Sequence, residues 1–103
     1  MNDVQFQFPR DDGQGMTTLA FTDVQEIEVI ETPEQPRVAR VGFLGCSDTT
    51  LLWRRCALAP TRGQLYADYG RVPKTVYLTK VDFHATGLQV AVFEEALDDD
   101  EDA

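Results

Sequence analysis

Carboxylates are the most numerous chemistry-bearing side chains in this chain, and two of them have a spacing that suits a binding surface. The 103 residues include 18 Asp and Glu but only 9 Lys and Arg. Glu26 and Glu28 lie two positions apart in an alternating segment, so a strand would carry both on one face, roughly 6.6 Å apart along the chain. Three further acids could extend this row: Asp23, Glu31 and Glu34. A rigid row of carboxylates suits a basic protein partner, because complementary charge speeds association.

Groups for catalysis or metal binding are scarce. His84 is the single histidine and Ser47 the single serine, and nothing around them resembles a nucleophile motif. Cys46 and Cys56 lack the spacing of metal ligands, and we expect them to be two reduced thiols. No glycine-rich phosphate-binding motif is complete. We therefore expect a protein that is not an enzyme and that has no metal site and no cofactor.

Charge is distributed in three blocks along the chain. Residues 1–36 carry a net charge of −7, residues 37–80 carry +6 and residues 81–103 carry −8, which together give the overall −9. Two interpretations follow from this map. Either the acidic flanks neutralise the basic middle block within the fold, or the protein has working surfaces of opposite sign.

The acidic flanks support our preferred hypothesis. We predict a small acidic protein-binding module, of the inhibitor, immunity or nucleic-acid-mimic type, that presents carboxylates to a basic protein. The sequence does not indicate an oligomeric state. The predicted contact residues are Asp23, Glu26, Glu28, Glu31 and Glu34.

The basic middle block supports an alternative. It combines cations with aromatic side chains, a pairing that binds single-stranded nucleic acid through phosphate contacts and base stacking. An OB-like barrel could present these residues while the acidic tail competes for the groove. The net charge of −9 opposes this alternative, since phosphate contacts dominate nucleic-acid affinity. Its predicted contact residues are Trp53, Arg54, Arg55, Tyr69, Arg71 and Lys74.

Length and composition are those of one small folded domain. The run of acids at the end of the sequence repels itself and buries nothing, so we predict a single β-rich domain over residues 1–97 and a disordered acidic tail over residues 98–103. The first residues lack the basic and apolar segments of a signal peptide, and no uncharged run exceeds ten residues, about half a membrane span. These features predict a cytoplasmic protein without a membrane-spanning segment.

Alternation with period two predicts a mainly β fold, with a β-rich α+β fold as a further possibility. We expect a single antiparallel sheet, a small barrel or a sandwich, with six or seven strands and one short helix. Residues 17–31 read as one long strand with a kink near Asp23. Residues 75–84 and 88–95 read as a hairpin whose turn needs a positive φ at Gly87. Leu88, Val90 and Val92 would share one face, and we expect Val90 and Val92 in the core.

Two segments are harder to assign. Residues 48–59 fit either a helix capped by Ser47 or Asp48 or a short strand, and we favour the strand. Residues 61–64 have the pattern of a capping box, which predicts a short helix over residues 62–69.

Overall fold

Six strands close into one antiparallel barrel in the computed structural model, which describes residues 4–58, 60–68 and 72–97. The elements are β1 (Val4–Pro9), β2 (Met16–Ile30), β3 (Val38–Cys46), α1 (Thr49–Leu58), β4 (Thr61–Ala67), β5 (Thr75–Phe83) and β6 (Gln89–Glu95). Around the barrel the strands follow the order β1-β2-β3-β6-β5-β4, and β4 pairs with β1 to close it. The prediction of a mainly β fold with one short helix is confirmed, and its form is the barrel.

Phenylalanines from four strands fill the barrel interior. Phe6 and Phe8 on β1, Phe21 on β2, Phe43 on β3 and Phe93 on β6 are all nearly or fully buried. The ring centroids of Phe6 and Phe93 are 5.1 Å apart, and those of Phe21 and Phe43 are 4.7 Å apart. Tilted aromatic pairs at these distances add to the stabilisation that burial gives. These rings therefore form a packed core inside the barrel.

β2 bends around the barrel through two local irregularities. Its inward side chains include Phe21, Val24 and Ile27, a spacing of three where a regular strand has two. Asp23 has a positive φ of 53°, and the register with β3 shifts between Val24 and Glu26. Each irregularity leaves an additional polar residue on the outer face and increases the local twist. The predicted long strand with a kink near Asp23 is confirmed.

Residues 49–58 form α1, so the strand that we favoured there is wrong. The Asp48 carboxylate accepts a hydrogen bond from the backbone N–H of Leu51 at 3.0 Å, which caps the helix. Leu52 and Cys56, four residues apart on one helix face, pack into and against the core. This burial at helical spacing, together with the cap, outweighs the short apolar–polar alternation on which the strand prediction depended.

Residues 61–67 form β4, so the helix predicted over residues 62–69 is also wrong. Burial alternates along β4, with Gly63 and Leu65 facing inward. β4 pairs with both β1 and β5 and thereby closes the barrel. The Thr-x-x-Gln pattern resembles a helix cap locally, but pairing on two sides satisfies the same backbone groups in a strand.

The hairpin of β5 and β6 is confirmed, including the positive φ of 97° at Gly87. Of the two β6 residues that we expected in the core, Val90 is buried, but the expectation for Val92 is wrong because Val92 is only partly buried. The core face of β6 carries Ala91 and Phe93, which lie opposite the fully buried Val41 and Ala39 of β3.

Residues 98–103, predicted to be a disordered acidic tail, lie outside the described residues. Within the described residues, no helix has the length and apolar character needed to cross a membrane.

Candidate functional site

Glu26 and Glu28 lie together on the outer face of β2, as their spacing predicts. Both are exposed, and the register with β3 places Glu26 opposite Gly42 and Glu28 opposite Arg40. Ile27, which lies between them, turns toward the core. The rigid barrel wall therefore fixes the spacing of the two side chains.

Gly42 allows the Glu26 side chain to lie against the backbone of β3. A Cβ atom at Gly42 would lie 3.0 Å from Cγ of Glu26 and 3.6 Å from Cδ1 of Leu88. The aliphatic part of Glu26 thus occupies the space that a side chain at Gly42 would take. The Leu88 side chain borders the same space. This contact restricts the glutamate before any partner binds, and the carboxylate remains exposed.

Neither carboxylate has an ion-pair partner among the residues that the structure describes. The ion pairs among the described residues include Arg10 with Asp12, Arg37 with Glu95, Arg55 with Asp11, and Lys80 with Asp82, and none of these involves Glu26 or Glu28. The described cations therefore leave both carboxylates available at the surface.

The other three predicted acids are not held in the same way. Asp23 is exposed at the kink of β2. Glu31 and Glu34 lie beyond the end of β2, and Glu34 has a φ of 63° in the turn. The pKa of Arg37 is raised mainly by its hydrogen bonds to Glu95 and further by the charge of Glu31. Glu31 therefore belongs with Arg37 rather than with the pair on β2.

The residues of the nucleic-acid alternative are divided between the two ends of β5. Lys74 precedes β5, and its ammonium group lies 5.4 Å from the centre of the Tyr66 ring. Trp53 contacts Phe83, the last residue of β5. These two contacts lie at opposite ends of a strand of nine residues, so the distance between them is on the order of 25–30 Å.

Among the described residues, Arg54 and Arg55 do not bring these ends together. Arg54 is exposed on α1. Arg55 pairs with Asp11 and lies over the Phe8 ring, 5.2 Å from its centre. Tyr69 and Arg71 lie outside the described residues.

An exposed aromatic pair is the feature that the sequence did not indicate. Trp53 on α1 is 48% exposed and Phe83 on β5 is 64% exposed, and their rings meet edge to face at 6.1 Å. They border an open groove of about 390 Å³ that Val81 and Cys56 also line. The two aromatics are 30 positions apart, so only the folded chain brings them together.

The two cysteines are partly buried, and the single histidine is exposed. Cys46 and Cys56 are free thiols, and burial raises the pKa of Cys56 to about 11. His84 is exposed beside the turn between β5 and β6. The described residues also contain no group of three or more His, Cys, Asp or Glu that could hold a metal ion.

Comparison of the chain with protein-family models, with curated proteins and with solved structures finds no match.

Proposed function

We propose that this protein is an acidic binding module that uses the outer face of β2, centred on Glu26 and Glu28, to bind a basic protein. The observation that carries the proposal is the placement of Glu26. Its side chain lies against Gly42, with Cγ at 3.0 Å and one carboxylate oxygen at 3.6 Å from the position of a Cβ atom there, while the residue as a whole is exposed. A carboxylate restricted in this way loses less conformational entropy on binding than one on a flexible segment.

The charges of the described residues support this choice of surface. Exposed acids that already pair with cations, such as Asp12 with Arg10 or Asp82 with Lys80, have part of their field cancelled. Glu26 and Glu28 have no such partner among the described residues. The overall charge of −9 adds a long-range field that attracts cationic proteins and repels nucleic acid.

The nucleic-acid alternative has less support. Among the residues that the structure describes, Lys74 and Trp53 lie at opposite ends of β5, and Arg55 is engaged by Asp11. Nucleic-acid modules of this kind need cations and stacking rings along one continuous groove. Nucleic-acid binding is therefore one of the outcomes that the experiment below distinguishes.

The experiment maps the binding surface by NMR. The full chain, labelled with ¹⁵N, is titrated with a synthetic peptide of alternating lysine and glycine. We expect the largest shift changes at the amides of Glu26, Glu28 and the facing residues Arg40 and Gly42. Raising the salt from about 20 mM to about 150 mM should reduce these changes, because exposed charges are screened over about 8–10 Å at the higher salt.

Two outcomes would contradict the proposal. Shift changes confined to residues 98–103 would assign binding to the acidic tail instead of β2. Tight binding of a single-stranded DNA oligonucleotide at physiological salt, with changes near Trp53 or Lys74, would favour the alternative.

A further inference from the structure

We infer that the basic partner adds an extended segment to the free edge of β2, as one more strand of the sheet. The free edge is the side of residues 24–30 that faces away from β3. This inference rests on the proposed function and names how the partner is held. The added segment alternates lysine or arginine with apolar residues.

The free edge exists because β2 is much longer than its neighbour β1. β2 has 15 residues and β1 has six. β1 pairs only with Met16–Phe21, whereas β3 pairs with β2 as far as Ile30. Among the described residues, no strand pairs with residues 24–30 on the side away from β3. An edge of this kind, about 20 Å long, presents backbone N–H and C=O groups that can pair with another chain.

The inner face of the same segment shows where a further strand would fit. Ile27 and Val29 face the interior, directly opposite Val41 and Ala39 of β3. The two β3 residues are fully buried, but Ile27 and Val29 are only partly buried. β3 has a strand on both sides at this level, whereas β2 has one described strand there. An added strand would cover Ile27 and Val29 with its own inward side chains, so apolar residues are expected at alternate positions.

The outer face of the segment sets the charge of the partner. Glu26 and Glu28 lie on this face, and side chains directly opposite each other on paired strands interact favourably when their charges are opposite. The side chain of Glu26 leans over Gly42, toward β3. A cation on the added strand must therefore reach across β2, which suits the long side chains of lysine and arginine.

The same carboxylates oppose other occupants of the free edge. Antiparallel pairing with β2 of a second copy would bring the glutamates of the two copies together, and like charges on facing positions destabilise a sheet. Residues 98–103 carry five acids and are repelled in the same way. Charge therefore favours a basic segment of another protein.

The test compares the lysine–glycine peptide with a peptide of alternating lysine and valine, about eight residues long. Both are titrated into the full ¹⁵N-labelled chain. We expect the lysine–valine peptide to bind about tenfold more tightly, because valine favours an extended strand and covers Ile27 and Val29. Amide hydrogen exchange should slow at alternate residues within 24–30, because their N–H groups gain partners.

Backbone methylation of the peptide tests the pairing itself. Successive N–H groups of an extended strand point to opposite edges, so all lysine N–H groups lie on one edge and all valine N–H groups on the other. One peptide carries N-methyl groups on its lysines and a second carries them on its valines, with no change of charge. One of the two should bind at least about tenfold more weakly than the other. Equal affinity of the two methylated peptides would overturn the inference.

Variants of the protein separate this inference from the proposed function. Glu26→Gln with Glu28→Gln should weaken the binding of both parent peptides, whereas Asp12→Asn with Asp82→Asn, which removes the same charge elsewhere, should have much less effect. If neither peptide binds, or if the glutamate variant binds both as the wild type does, the proposed function fails.

Three results would overturn the free-edge inference alone. The first is that the lysine–glycine peptide binds through the glutamates but valine adds no affinity. The second is that amide exchange within residues 24–30 is unchanged when the lysine–valine peptide is bound. The third is that the free chain sediments as a dimer in which these amides are already protected, which would assign the edge to a second copy.

Discussion

Replacing Gly63 by alanine should destabilise the barrel strongly, because β1 leaves no room for a side chain at this position of β4. A Cβ atom at Gly63 would lie 2.2 Å from the carbonyl oxygen of Gln7 and 2.8 Å from two ring carbons of Phe6. Relief requires the two strands to separate by about 1 Å, since non-bonded atoms rest near 3.5 Å. Overpacking of this kind costs about 1–3 kcal/mol, and a weakened ladder hydrogen bond costs about 1 kcal/mol more.

We therefore expect Gly63→Ala to lower the free energy of unfolding by about 3 kcal/mol, measured by urea denaturation followed through Trp53 fluorescence. For a domain of this size, that loss corresponds to a fall in melting temperature of about 12–24 °C. Gly42→Ala is the matched control, because its Cβ atom would lie 3.0 Å from the Glu26 side chain and its nearest neighbouring atoms would all belong to side chains, and it should cost less than about 1 kcal/mol. Equal stability of the two variants would refute the closure of the barrel through β1 and β4.

Three further predictions concern single residues. Gly87→Val should cost about 1–3 kcal/mol, because φ is 97° there while the space around the Cβ position is open; an unchanged urea midpoint would contradict the turn. The hydrogen bonds from Arg37 lower the pKa of Glu95, so the stability that this pair adds is present at neutral pH and lost as the pH falls below about 4. Glu95→Gln should accordingly be less stable than the wild type by about 1 kcal/mol at pH 7 but not at pH 3, and a difference independent of pH would refute this. Because burial raises the pKa of Cys56 to about 11, iodoacetamide should label it slowly at pH 7.5 in the native protein and rapidly in urea; equal rates would show an accessible thiolate.

The features predicted correctly from the sequence are those set by neighbouring residues. The hairpin around Gly87 follows from a β-branched run and one glycine, and the kink of β2 follows from the break in alternation at Asp23. The shared face of Glu26 and Glu28 follows from period two alone.

The features predicted wrongly depend on distant partners. Residues 61–67 look like a helix start until they pair with β1 and β5. The core face of β6 depends on its register with β3, where Ala91 lies opposite Val41 and Phe93 opposite Ala39, and no local pattern marks that register. In the candidate site, the contact of Glu26 with the space above Gly42 and the meeting of Trp53 with Phe83 both join separate elements. Sequence periodicity predicts which side chains share a face, but not what lies across from them.

The most direct test of the carboxylate surface compares two ways of removing negative charge. Glu26→Lys with Glu28→Lys leaves a formal net charge of −5, and deletion of residues 98–103 leaves −4. The association rate with the immobilised lysine–glycine peptide is measured for both at about 20 mM and about 150 mM salt. We predict that the association rate falls further for the double variant than for the deletion variant at both salt concentrations, although the deletion removes more negative charge. An equal or larger loss on deleting the tail would contradict the assignment of binding to β2.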